Sequence, residues 1–214
     1  MQVPLPPDMP RRMEKLPRDD VGRPVPFFVE YIDGKPDFRV MNAKNFRAAI
    51  MRGLCWVCGK RINPASKHVF VAGPMCLING TSAEPPCHMD CAEWSARACP
   101  FLVNPHKKRR EGNLPEEAGS PGGIMLDRNP GVTALIAARL WQPVQAEGGI
   151  IIKFSGVTEV RWLSQGREAT NEEVRESIAS GMPALVELAD AEGPDAERAL
   201  LKMYEEALKW VPAA

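Results

Sequence analysis

An α+β fold is predicted, with a small metal-stabilised amino-terminal half followed by a β-hairpin plus helical carboxy-terminal half. Three observations carry that expectation. Two close pairs, Cys55-x2-Cys58 and His88-x2-Cys91, lie 29 residues apart and have the residue types and bite of a structural metal site. The runs VTALIAARLW and GGIIIKFSG have the branched aliphatic content of strands. Helix-start signals follow at Thr170, Pro183 and Pro194.

With 214 residues, 44% of them hydrophobic, the chain can bury a real core. No run approaches the roughly 18 to 20 apolar residues of a membrane span, and MQVPLPPDMPRRMEKLPRDD has no apolar secretory segment, so a cytoplasmic setting is expected. In that setting six cysteines are expected as metal ligands or buried thiols rather than disulfides. The formal net charge of zero hides an asymmetry: residues 1–111 hold 18 Lys and Arg against 11 Asp and Glu, and residues 112–214 hold 9 against 16. A basic first half suits an anionic partner, and equally suits attraction between the halves.

Residues 1–24, dense in proline and charge, are expected as an arm that is extended, or disordered unless it packs on something. Strands are expected at about 26–32 and 37–41 around the turn dipeptide Asp33-Gly34. Asn42 caps a helix over about 43–52, with Phe46, Ala49 and Ile50 on one face and Gly53 as its stop. HVFVAG and MCLI read as two strands, or one strand broken at Gly73-Pro74. CAEWSARAC reads as a helix ending at Pro100 that buries Cys91, Trp94 or Ser95, and Ala98. These elements make residues 25–111 the metal-binding unit.

Residues 112–131 concentrate Gly and Pro and read as a linker, placing a second unit at 132–214. There VTALIAARLW and GGIIIKFSG pair across QPVQAE, and GVTEVRWLSQG reads as a short helix with Val157, Val160 and Trp162 inward. Thr170 and Glu173 form a capping box opening a helix that stops at Gly181. Pro183 opens another to about Ala191, and Pro194 a last one to about Trp210 with the stripe Ala196, Leu200, Met203, Ala207 and Val211.

The spacing predicts that Cys55, Cys58, His88 and Cys91 hold one structural zinc per chain, since two tight pairs fill a tetrahedron and leave no open position for water or substrate. Cys87, next to His88, is the substitute ligand, although it would give a Cys-x3-Cys bite. Cys76 and Cys99 are then core thiols, and His68 a surface or strand histidine. A structural zinc supplies on the order of 10 to 16 kcal/mol in small domains, so the first half should depend on it.

Over about residues 53–100 the layout resembles a treble clef: a zinc knuckle, a hairpin, then a helix whose first turn brings the second ligand pair. More loosely, LCWVCGK, HVFVAGPMCLIN, EPPCHMDCAEWSARACPFL and GREATNEEVRESIASGMPAL resemble small proteins of bacteriophage and prophage genomes. That resemblance implies a phage or prophage origin and brings no activity with it.

The chemistry of common zinc enzymes finds little foothold. Deaminases need His-x-Glu, which the sequence lacks. A divergent treble-clef nuclease would need a histidine base, and only His68 and His106 are free. No phosphate loop or serine elbow is present, and no small-molecule substrate is evident. A non-enzymatic binding protein is therefore expected. His106, Lys107, Lys108, Arg109 and Arg110, with Arg11, Arg12 and Arg97, form a candidate nucleic-acid surface. The alternative is an adaptor or structural component that docks on a host or phage protein through its acidic helical half.

Overall fold

The computed structural model describes residues 7–104, 129–146 and 148–213. A short 3-10 helix, Arg11–Met13, leads to the hairpin β1 (Val29–Ile32) and β2 (Lys35–Met41), then α1 (Ala43–Arg52). β3 (His68–Ala72), α2 (Pro74–Asn79), β4 (Thr81–Ser82), α3 (Met89–Ala98) and α4 (Pro100–Val103) follow. The remainder holds β5 (Thr133–Ala146), β6 (Gly149–Ser164), β7 (Arg167–Glu168), α5 (Asn171–Glu192) and α6 (Pro194–Leu208).

The architecture is mixed α+β, and one antiparallel sheet ties it together. Its order is β3-β5-β6-β4, with β7 also on β6. β5 and β6 form the long hairpin, in register from Thr133↔Leu163 to Ala146↔Gly149. β3 joins β5 by pairing His68 with Ala138 through Ala72 with Ala134, and β4 joins β6 at Thr81↔Lys153. Strands from before and after residues 105–128 thus share one ladder. The linker reading of 112–131 lies outside the described residues except at its end, where Asn129 is buried. Its Nδ2 donates to the carbonyls of Phe101 and Asn104, at 2.5 and 3.0 Å, so this end is fastened to the chain after α3.

The sheet is covered on both faces. Leu135, Ala137, Val69 and Leu163 point into a core with Trp56, Cys91, Ala92 and Trp94. Phe70, Ala134, Ile136, Ile152 and Trp162 point the other way, into a core with Leu77, Val174, Ile178 and Leu200. Burial on both faces explains why VTALIAA is a continuous apolar run instead of an alternating one. Phe70 and Phe154 stack in the second core at 4.7 Å, and Trp162 Nε1 donates to the Trp210 carbonyl at 2.8 Å.

Several local expectations hold. Asp33 and Gly34 take φ of 48° and 77°, the turn their dipeptide favours. Asn42 Oδ1 accepts from the Asn45 N–H at 2.8 Å to cap α1, and Gly53 closes it at φ 62°. The Thr170 capping box is complete. The arm packs: Met13 is fully buried, and Arg12 pairs with Asp90 at 3.0 Å, while residues 1–6 lie outside the described residues.

Others are corrected. MCLI is not a strand but α2, because Pro74 opens a helix and Gly80 closes it at φ 66°. GVTEVRWLSQG is not a helix but, through Ser164, the second half of β6; Gly156, at φ 66°, lies against Arg139, next to the register shift at Ala137/Ala138, and ends nothing. β5 likewise runs through QPVQA to Ala146. Gly181 and Pro183 do not divide two helices, since both lie inside α5. A Cβ on Gly181 would stand 2.9 Å from Met75, so this glycine lets α2 approach α5. The apolar stripe Val174, Ile178, Leu185 and Ala189 continues through, and its burial outweighs the hydrogen bond lost at Pro183. α6 ends at Leu208, and Met203 is exposed, so it leaves the predicted stripe.

Glu173 generates a measurable consequence. Hydrogen bonding to the Arg167 guanidinium, then the Thr170 N–H and the Ser164 hydroxyl, hold its carboxyl down at about 2. A folded-state value below the unfolded one stabilises the fold above about pH 4.5 and loses that contribution as pH falls towards 2. Linkage sets a ceiling near 3 kcal/mol, and for a side chain 25% exposed about 1 to 2 kcal/mol remains. Glu173→Gln should cost that much in urea unfolding at pH 7 and nothing near pH 2; an equal cost at both pH values would remove the ion pair from the explanation.

Candidate metal centre

The site is built from two backbone devices. After α1, the chain from Leu54 to Arg61 turns back on itself as a knuckle: Cys55 N–H donates to the Lys60 carbonyl at 2.8 Å, and Gly59 N–H to the Cys55 carbonyl at 2.9 Å. Gly59 sits at φ 68°, a conformation that costs other residues roughly 1 to 2 kcal/mol. A Cβ there would also lie 2.8 Å from Phe27. The second device is the start of α3, where His88 is the N-cap and Cys91 lies in the first turn. Cys87 is held just before it by paired bonds to Val69 on β3, at 2.7 and 3.1 Å.

These devices bring together the four side chains that spacing selected. The ligand atoms of Cys55, Cys58, His88 and Cys91 all lie within 4.8 Å of one another, close enough to bind one metal ion. The three cysteines are buried, His88 is half-buried, and none of the six cysteines is in a disulfide. His88 Nδ1 faces Cys58 Sγ at 3.5 Å while Nε2 lies 3.3 Å from the Arg61 carbonyl. With Nε2–H donated to that carbonyl, Nδ1 would be the ligand atom, the usual outer support of a metal-bound imidazole. Backbone N–H groups of Cys58 and His88 point at Cys55 Sγ, at 3.5 and 3.4 Å.

The electrostatics of the cluster would favour a cation there. Burial pushes the Cys55 thiol up, but hydrogen bonds converging from Cys58, Cys87, Cys91 and His88 hold it far below its ordinary value. Cys91 is pushed up, first by its hydrogen bond to Cys55, and Cys87 likewise. Burial opposes charge on His88, yet hydrogen bonds to Cys55 and Cys58 keep it at about 9. The Cys55 thiolate forms readily while Cys87 and Cys91 resist ionising, because like charges crowd in a dry site; a divalent cation bound there would relieve that resistance.

Cys87 contacts Cys55 but stands outside the four-atom group, so geometry selects His88 over the substitute. Cys76 and Cys99 are half-buried thiols away from the cluster, and burial lifts Cys76 to about 11. His68 is a strand histidine, only 9% exposed, with Nδ1 unpartnered. Of the expected basic surface, Arg12 is engaged by Asp90 and Arg97 by Glu93, the latter at 2.8 Å. His106, Lys107, Lys108, Arg109 and Arg110 lie outside the described residues.

One contributor escaped sequence reading: Trp56, between the two knuckle cysteines. It is almost wholly buried, stacked on Phe28 at 5.5 Å and edge-on to Phe46 at 5.6 Å, so the knuckle is packed against the β1–β2 hairpin region and α1. An aromatic inside Cys-x2-Cys was the available signal.

The chain matches no protein family, no curated protein and no solved structure.

Two glycines separate the knuckle's needs. Gly53 and Gly59 share a left-handed backbone, but only Gly59 is crowded, by Phe27. Gly53→Ala should cost about 1 kcal/mol. Gly59→Ala should cost at least twice that and also weaken metal binding. Equal effects in chemical unfolding and metal competition would show that the Phe27 contact does not matter.

Proposed function

We propose that this is a non-enzymatic binding protein of phage or prophage type, stabilised by one structural zinc and contacting nucleic acid through its basic amino-terminal half in the host cytoplasm. The observation that carries the metal part is the convergence of three buried cysteines and one histidine within 4.8 Å. Three sulfurs and one imidazole nitrogen suit zinc's preference for soft, tetrahedral donor sets. Four protein donors close the tetrahedron, which favours a structural role. The knuckle and the ligand-bearing helix suit the treble-clef resemblance, but its hairpin is not formed, because β3 pairs with β5 and β4 with β6 with α2 between them. No helix among the described residues is long and apolar enough to cross a membrane.

A second reading, docking on a protein partner through the acidic helical half, rests on apolar side chains left open there. Val186 is 42% exposed on α5 and Leu201 60% on α6, beside Leu188 and Met203. Leu201→Glu would impair that docking and leave nucleic-acid binding intact.

Metal analysis of the purified protein should give one zinc per chain. Cys58→Ser should lose it and destabilise the whole chain by several kcal/mol, since the metal core packs against β5. A metal-free protein with an unchanged unfolding midpoint refutes the zinc reading. In a gel shift, duplex binding should weaken steeply between about 50 and 200 mM salt; absence of binding at the lower salt removes the nucleic-acid function.

A further inference from the structure

Between Phe38 and Ala83 the sequence holds seven Lys and Arg and no Asp or Glu. This acid-free stretch includes α1 and the metal knuckle. Two of its cations are spoken for: Arg39 pairs with Asp37, and Lys67 with Glu159. Lys44, Arg47, Arg52, Lys60 and Arg61 are all exposed, and none has an ion pair among the described residues.

Topology places the five on two adjoining elements, α1 and the knuckle. At 100° per residue Lys44, Arg47 and Met51 fall on the side of α1 opposite its buried Phe46 and Ala49, with Arg52 flanking them. Met51 is 85% exposed at the centre. Gly53 then carries the chain directly into the knuckle, where Leu54 bridges Arg61 and Ile62 N–H bonds the Gly53 carbonyl at 2.8 Å. Lys60 and Arg61 therefore adjoin the carboxy-terminal end of α1. The Arg61 carbonyl lies 3.3 Å from His88 Nε2, so its guanidinium extends from a backbone position beside a residue of the candidate metal centre.

We propose that this patch of α1 and the knuckle binds the phosphate backbone of a nucleic acid without reading its bases. The inference rests on the nucleic-acid reading above and moves the contact away from residues 107–110. Unpaired cations with no acid between them along the chain complement a polyanion; the Glu30 carboxylate, bonded to Asn42 Nδ2 at 3.0 Å, stands at the start of α1. A protein partner would call for an apolar centre broader than one methionine. A lipid surface would call for Trp, Phe or Leu to insert. A single-strand groove would call for exposed aromatic platforms, which α1 and the knuckle do not offer. From Lys44 to Arg52 the helix rises about 12 Å, the axial span of three to four phosphates along one strand.

The test is anisotropy of the full zinc-loaded protein with a labelled mixed-sequence duplex of about 20 base pairs, as a function of salt. If most of the five cations meet phosphates, the plot of log affinity against log salt has a slope of about −3.5 to −4.5. Arg47→Gln with Lys60→Gln should make it shallower by about two and weaken binding at least tenfold at about 50 mM salt, with zinc content and unfolding midpoint unchanged. Lys44→Gln with Arg52→Gln is the independent second pair. Unchanged binding in both pairs, with loss when residues 107–110 are made Gln, overturns the patch and keeps the nucleic-acid reading. No binding by the wild-type protein overturns both. Tighter binding to a single strand than to the duplex overturns backbone-only contact.

Discussion

Six consecutive residues of β5, Thr133 to Ala138, are buried, with alternate side chains entering opposite cores, and the rest of the structure is arranged to cover them. A strand in that position has no solvated face, so both sides need apolar cover delivered by other parts of the chain. α2, α5 and α6 supply one layer, and the knuckle, α3 and the β1–β2 region supply the other. The second layer is made of short elements, since α1 and α3 have ten residues each. Helices of that length hold little stability alone. A common metal ion held by the knuckle and the start of α3 would be a physical means by which such small pieces present a firm surface to the sheet.

The centre's electrostatics follow from the same layering. Cys55 and Cys91 are fully buried because they line the core that faces β5, and burial makes separate thiolates costly. A cation held there would make stability of the layer and occupancy of the site one equilibrium. Trp56 extends it outward: the indole between the two knuckle cysteines packs on Phe28 and Phe46, so displacement of the sulfurs also disturbs β1, β2 and α1.

What sequence reading could reach was local. Spacing alone identified Cys55, Cys58, His88 and Cys91, because each pair's bite is set within four residues. Asn42, Gly53 and the Thr170–Glu173 box were legible for the same reason. The misread elements were those decided at a distance. Pro74 marks a helix start or a strand break with equal local sense, and Met75 against Gly181 settles it from another element. Gly156 suggests an ending until β5 lies opposite and makes it part of a long strand. Pro183 should break a helix, and only the shared core from Val174 to Ala189 shows why it does not. The β3–β5 ladder joins residues more than sixty positions apart, a pairing for which the sequence carries no local mark.

Net charge of zero suggested two halves that neutralise each other. In the structure that neutralisation is narrow: the ion pairs linking residues before 105 to those after 128 are Lys67 with Glu159 and Arg161 with Glu93, among the described residues. Acids of α5 and α6 instead meet nearby cations, as Glu173 meets Arg167 and Asp195 meets Arg198. Sheet pairing and two apolar cores hold the halves together without drawing on the long-range charge difference. The opposite net charge of the two halves of the sequence is therefore not neutralised by ion pairs among the described residues, and its reach into solvent, about 8 to 10 Å at physiological salt, is available to whatever the protein binds.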